Sequence, residues 1–427
     1  MPETGLSCRF CATPLRHSFA DLGTSPLANA YLTEDQLGQG ETFYPLHAYV
    51  CERCFLVQLG EFAPPEVIFS DYAYFSSVSE SWVEHARRYA ETMTRRLGLG
   101  ASSTVIEVAS NDGYLLQFFR ERSIRVLGVE PAANVARAAV ERGIPTLVRF
   151  FGQEVAASLA AEGKHADLLV GNNVLAHVPD INDFVAGVRT VLASDGRATF
   201  EFPHLLKLVQ EIEFDTIYHE HFSYLSLLAV SRIFGAHGLT VVEVQELPTH
   251  GGSLRVHVRR TERAGIVDPS VSQVLHKERT AGLDRIETYT SFQHAVRRTK
   301  RELLKFLSNA KRHGRSVVAY GAAAKGNTLL NYCAIRNDFL DYVVDRSPHK
   351  QGRFLPGTRL PICGPERIAE TRPDYILILP WNLREEIVRQ MAHVHAWGCR
   401  FVVPIPSVRV LQPLVPGHIF ALRRRIA

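Results

Sequence analysis

The sequence is poor in several things at once. It has three methionines, three tryptophans, no long apolar run, and a formal net charge of only +4 over 427 residues. Without a run of about 20 apolar residues there is no candidate bilayer helix, so no membrane contact is expected. Lysine and arginine (48) nearly balance aspartate and glutamate (44), and the one tight basic run is Arg423–Arg425. No basic stripe therefore marks a nucleic-acid partner, which disfavours a nucleic-acid-modifying enzyme. The first residues, MPETGLSCRF, lack the charged-then-apolar order of a secretion signal, which predicts a cytoplasmic protein. GxGxxG is missing too, which argues against an NAD-dependent nucleotide-sugar oxidoreductase.

Hydrophobic content of 46% and charged content of 22% are ordinary globular values, and the length calls for two or three domains. Cysteine is scarce but not scattered. Four of the seven form two CxxC pairs, Cys8/Cys11 and Cys51/Cys54. Four thiolates fill a tetrahedral zinc site and leave no open position, so this zinc is expected to be structural. The 39 residues between the pairs require an inserted hairpin or loop. A zinc staple suits a small module that cannot bury enough core alone. Buried free cysteines, or a non-enzymatic zinc scaffold, are the alternatives.

Beyond residue 62 the pattern changes. Tyr72–Leu97 reads as a turn entering an amphipathic helix. Strand candidates follow at Thr104–Val108, Val126–Val129, Asp167–Val170 and Ala198–Phe202, with a late strand pair at Thr240–Val244 and Leu254–Val258. Alternating units of this kind predict a mainly parallel, doubly wound α/β sheet. A polar helical stretch, roughly 271–312, reads as a connector. A second alternating unit starts at Ser316.

Four stretches carry chemistry. In VIEVASNDGYLL a strand ends at Glu107, a turn of small residues follows, and Gly113 opens a helix. Glu130, at the end of the next strand, is placed to accept ribose hydroxyls. The form E-x-x-x-N-D-G with Glu130 resembles the S-adenosylmethionine site of class I methyltransferases. That assigns Glu107, Ser110, Asn111, Asp112, Gly113 and Glu130 to the cofactor, with Ala109 where many such enzymes carry glycine. In GNNVLAHVPDINDF, after the strand DLLV, Asn172 and Asn173 are candidates for the amino-acid end of the cofactor, and His177 for the reaction cleft. In FDTIYHEHFSY, Tyr218, Glu220 and His221 crowd proton donors and acceptors at a strand exit. This favours acid–base chemistry over a His-x-His metal pair, which lacks a third ligand; a solvated polar loop is the plain alternative. In AYGAAAKGNTLLNY, Gly321, Lys325 and Asn327 form a strand–turn–helix suited to an anion, and Asp345 lies at the ribose position of a Rossmann unit. A degenerate unit used only for packing is the alternative there.

Taken in order, the cysteine pairs, DYAYFSSVSESW, EVASNDG, NNVLAHVPD, YHEHFSYLS, HGGSLRV and YGAAAKGNTLLNY resemble the sugar C-methyltransferase family that acts on TDP-linked 4-keto-deoxysugars in antibiotic biosynthesis. The resemblance spans nearly the whole chain. It implies an α/β protein with a zinc-binding domain (1–62), a class I methyltransferase domain with a Rossmann-like sheet (63–284) and a second Rossmann-like domain for the nucleotide of the substrate (285–427). It implies S-adenosylmethionine and structural zinc as cofactors, methylation at C3 of the sugar with C5 the variant, and catalytic roles for Tyr72, His177, Tyr218, Glu220 and His221, the last as general base; a monomer is expected.

Overall fold

Valine- and isoleucine-rich runs closed by glycine or polar turns form the strands of this protein. The computed structural model describes residues 5–62, 64, 68 and 75–412; Tyr72, expected at the site, lies outside them. The chain forms two compact units. One holds Met1–Asp21, Leu46–Gln210 and His219–Phe292; the other holds Leu22–Pro45, Glu211–Tyr218 and Gln293–Ala427.

The N-terminal stretch contributes strands β1 (His17–Ser25), β2 (Tyr44–Val50) and β3 (Val57–Leu59). Helix α1 (Glu80–Leu97) follows. Ser79 caps its start by accepting from the Trp82 N–H, and Gly98 ends it in the left-handed region at φ 61°. Its buried stripe of Ala86, Tyr89, Ala90 and Met93 repeats at helical spacing, which is why this otherwise polar segment folds onto a core.

The first unit is built around a seven-stranded sheet. Its parallel strands are β4 (Thr104–Val108), β5 (Arg125–Val129), β6 (Thr146–Leu147), β7 (Ala166–Asn172) and β8 (Leu192–Pro203). The short strand β9 (Ser223–Tyr224) leaves this sheet and pairs with β3, Val57 opposite Tyr224. Strands β10 (Leu239–Leu247) and β11 (Ser253–Arg260) close the large sheet antiparallel, in the order β10-β11-β8-β7-β4-β5-β6. The strands expected in this unit are all present, most the same length or a few residues longer, and the one expected at Ala198–Phe202 extends to twelve residues, Leu192–Pro203. Phe200, Phe202, Leu168, Leu169 and Val256 are fully covered between the sheet and its helices.

The expected single connector of 271–312 is two helices, Pro269–Thr280 and α2 (Ile286–Arg312). Gly282 breaks it, taking φ +82°, a conformation that strains any side-chain-bearing residue.

The second unit has a six-stranded sheet: β12 (Val317–Tyr320), β13 (Val343–Val344), β14 (Ile362–Cys363), β15 (Tyr375–Ile378), β16 (Arg400–Val403) and β17 (Arg409–Val410). The order is β14-β13-β12-β15-β16-β17, parallel except for β17. Helix α3 (Ala324–Cys333) follows β12.

Candidate active site

The cysteine pairs converge. The sulfurs of Cys8, Cys11, Cys51 and Cys54 all lie within 4.8 Å of one another, with Cys8–Cys54 and Cys11–Cys51 each at 3.5 Å. Zinc–sulfur bonds of about 2.3 Å in a tetrahedron put sulfurs about 3.8 Å apart, so the four thiols fit the ion. Ala12 and Phe55, each directly after the second cysteine of its pair, take left-handed φ of 57° and 61°, so the chain folds back on each pair. Hydrogen bonding from Cys51 and then Cys54 holds the Cys8 thiol far below its usual range, towards the thiolate a metal needs. The Gln58 amide donates to the Cys8 sulfur at 3.2 Å, a support not read from the sequence.

This module is tied to both histidine-bearing loops. Arg9, inside the first CxxC, donates to the Pro179 carbonyl (2.6 Å) and to the Leu59 carbonyl (2.5 Å), and its guanidinium stacks 5.3 Å from the Phe222 ring centre. Pro179 is two residues past His177, and Phe222 is next to His221. The Leu59 N–H also donates to the Phe222 carbonyl at 3.0 Å.

The expected cofactor residues gather at the C-terminal ends of β4, β5 and β7. Ala109, Asn111 and Gly113 take φ of 54°, 50° and 78°, which bends the turn after β4 tightly. At Gly113 a Cβ would sit 2.9 Å from Ile144, so glycine is required. Glu130 shapes this turn from the next strand, accepting from the Asn111 N–H and the Ala132 N–H, both at 2.9 Å. Burial, followed by the negative charge of Glu130, pushes the Glu107 carboxyl well up; the nearby Tyr114 hydroxyl offsets this only in part. Burial likewise raises Glu130. Both Glu107 oxygens, Ser110 Oγ, Asp112 Oδ1, Asn172 Oδ1 and Asn173 Oδ1 are buried without a good hydrogen bond. A row of unsatisfied polar atoms along strand ends is costly unless a polar ligand completes it, and this donor and acceptor set fits S-adenosylmethionine.

Beside this row is a cluster that the sequence reading did not single out. Glu201, buried in β8, accepts from Arg255 (2.5 Å), His85 (2.9 Å) and Thr249 (2.9 Å). Burial alone would raise its carboxyl, but hydrogen bonding by His85 and the charge of Arg255 hold it at about 2. Trp82 stacks on His85 (5.0 Å) and Tyr114 (6.1 Å) and meets His250 edge-on (5.4 Å). A glutamate inside the apolar run RATFEF was the available signal, since an unpaired charge in a central strand is prohibitive.

Two of the expected catalytic residues meet within the first unit. His177 ends the short turn after β7, and its ring lies edge-to-face with that of His221, centroids 4.8 Å apart. His221 in turn contacts the Tyr224 ring edge-on at 6.0 Å. Burial lowers the His177 imidazole to about 4, and a hydrogen bond to the Glu220 backbone offsets this only in part. Glu220 and His219 are buried. Tyr218 closes the Glu211–Tyr218 segment, which belongs to the second unit.

In that second unit, Gly321 takes φ +93°, and a Cβ there would strike Pro380. Asp345 accepts from the Ala322 N–H and the Ser347 N–H, both at 2.8 Å, and so shapes the glycine turn. Tyr31 and Lys350, neither singled out from sequence, donate to the Ala322 carbonyl at 2.6 and 2.8 Å. Lys325 donates to Asn382 at 2.9 Å, and Asn327 is fully buried with neither side-chain polar atom hydrogen-bonded.

Comparison with known proteins agrees in order along the chain. Residues 8–69 match a putative zinc binding domain, residues 82–244 a methyltransferase domain, and residues 248–406 a C-methyltransferase C-terminal domain. The chain is 37% identical over 405 residues to C-methyltransferase NovU of Streptomyces niveus, covering 95% of this chain and 96% of that protein. Among solved structures, magnesium protoporphyrin IX methyltransferase of Synechocystis with bound SAH is 14% identical, with a TM-score of 0.33 over 42% of this chain and 83% of that one. The 1,6-didemethyltoxoflavin-N1-methyltransferase of Burkholderia thailandensis is 19% identical, with a TM-score of 0.35 over 48% and 95% of the two chains.

Proposed function

Because the chain belongs to the C-methyltransferase family of its Streptomyces relative and depends on S-adenosylmethionine, we propose that its acceptor is a TDP-linked 4-keto-deoxysugar, methylated at C3 beside the ketone. The observation that carries this reading is the His177–His221 pair next to the polar strand ends. A carbon next to a carbonyl is acidic only when a base removes its proton while a donor holds the enolate oxygen.

His221 is the base in this reading. His177, held neutral by its surroundings, adds no like charge that would discourage His221 from accepting a proton. Its one N–H engages the Glu220 backbone, which leaves Tyr218 or Tyr72 as the oxyanion donor, a contribution of about 2.7–4 kcal/mol for a well-placed donor. When bound, S-adenosylmethionine supplies an electrophilic methyl group on sulfur. Glu107, Glu130, Asn172 and Asn173 are proposed to hold and orient it, and its sugar partner must approach within van der Waals contact.

The test incubates the protein with labelled S-adenosylmethionine and a panel of TDP-4-keto sugars in heavy water. Mass spectrometry should find the methyl group of the product on the same ring carbon that carries deuterium in sugar recovered unmethylated, and His221→Ala should lose both. Exchange that survives in His221→Ala assigns the base elsewhere, and methylation of none of the sugars ends the substrate reading.

A further inference from the structure

In the second unit the chain runs from β12 to β13 on one side and later to β15 on the other. The crevice at the C-terminal ends of β12 and β15 is therefore the switch point, where open α/β sheets receive ligands. Lys325, in the first turn of α3, and Trp381 and Asn382, just past β15, flank it. The same chain supplies what sits there. Asp215 is 0% exposed, and the Trp381 indole N–H donates to its Oδ2 at 2.8 Å. Its Oδ1 has no hydrogen bond. The Lys325 ammonium, 4.5 Å over the Trp381 ring, is the charge that most opposes the cost of burying this carboxylate. Glu213, from the same segment, also acts on Lys325. Around the carboxylate the segment is fastened on both sides. Phe214 packs edge-on against Tyr332, centroids 5.4 Å apart, and the Thr328 hydroxyl donates to the Ile217 carbonyl at 3.1 Å.

We propose that this crevice is a socket for the Glu211–Tyr218 segment of the same chain, with Asp215 standing where a ligand's anion would stand and acting as the positioning residue for Tyr218, three residues on. Lys325 is then an internal counter-charge and not a contact to the substrate's phosphates. The role of Tyr218 rests on the function proposed above; the socket does not.

The obvious disruption is Lys325→Met, which keeps the length of the side chain and leaves Asp215 alone with its charge. The companion is the double variant Lys325→Met/Asp215→Asn, which removes both charges and keeps an acceptor for Trp381. Hydrogen exchange read by mass spectrometry on peptides covering 211–218 should speed up about tenfold in the single variant and return towards wild type in the double. Turnover should follow the same order, falling about tenfold and then recovering, while KM for the nucleotide sugar and affinity for TDP change less than about threefold. Unchanged exchange in Lys325→Met overturns the socket. So does a loss of TDP affinity of about tenfold with exchange intact, which makes Lys325 a phosphate ligand. If no TDP sugar is methylated by the wild type, the substrate reading fails and the exchange arm still decides the socket.

Discussion

His177 and His221, far apart in sequence, meet edge-to-face with ring centroids 4.8 Å apart. The contact requires the single 3-10 turn after β7, Leu175–His177, and the loop before β9 to be held together. With His177 neutral, replacing it by glutamine should leave S-adenosylmethionine affinity within about threefold. His221→Ala should abolish methyl transfer, a loss of about 100-fold or more for a general base. Calorimetry and single-turnover rates check both.

Arg9 is the clasp between those loops. Arg9→Met keeps the apolar stem and removes two hydrogen bonds from a charged group to backbone carbonyls, at roughly 1.5–3 kcal/mol each before relaxation. We expect a lowered thermal midpoint and at least a tenfold loss of kcat with zinc content unchanged, read by calorimetric scanning, metal analysis and steady-state kinetics.

Zinc should act on the chemistry only through shape. One ion per chain is expected, released on denaturation into a colorimetric chelator. Cys54→Ser should weaken the turn leading into β3, and with it the β3–β9 pairing next to His221. Turnover should fall far more than S-adenosylmethionine affinity. Equal loss of both would mean that the module supports the cofactor turn as well.

Glu130 holds one backbone N–H of the proposed cofactor turn, that of Asn111, and one of its own loop, that of Ala132. Glu130→Ala should weaken S-adenosylmethionine by about 10- to 100-fold, through lost contacts and a loosened turn, and leave binding of the sugar nucleotide nearly intact. Titration calorimetry with each ligand separately decides this.

Acid should destabilise the fold through its buried histidines. His257, 0% exposed in β11, is lowered from 6.5 to about 4, chiefly by burial and against the pull of Glu243; His177 is lowered to a similar value. Between these values the unfolded chain binds protons that the folded one refuses. Their contribution is therefore complete above pH 6.5 and lost as pH falls towards 4, at up to about 1.4 kcal/mol per pH unit for each group. Asp215, raised from 3.8 to about 6 by burial against the pull of Lys325, works the other way and stabilises as pH falls through that window. Glu107 and Glu130, also raised by burial, act in the same direction as Asp215, so the histidine share is read by difference: the change in unfolding free energy in urea from pH 7 to pH 5 should be less favourable in the wild type than in His257→Gln.

The parallel strands, the two CxxC pairs and the polar strand ends were legible because each is a local signal: an apolar run, a fixed spacing, or a turn of small residues with an acid at the next strand end. Glu201 with His85 and Arg255 was not, because its partners come from three distant segments and only their meeting pays for the buried charge. Lys325 invites a phosphate contact from its place in a glycine turn, yet its ammonium is set against Trp381 and Asn382. No linear pattern reports which acid from elsewhere in the chain lies near a given lysine.

By itself, then, the order of residues determined the element types, the metal ligands and the cofactor-turn chemistry, since backbone preference, ligand identity and short-range spacing are written along one dimension. Tertiary structure alone decided which histidines pair, which carboxylates keep their charge, and that the loop carrying Tyr218 is anchored through Asp215. Each of these depends on desolvation and on distances of a few ångströms between segments that the sequence keeps apart.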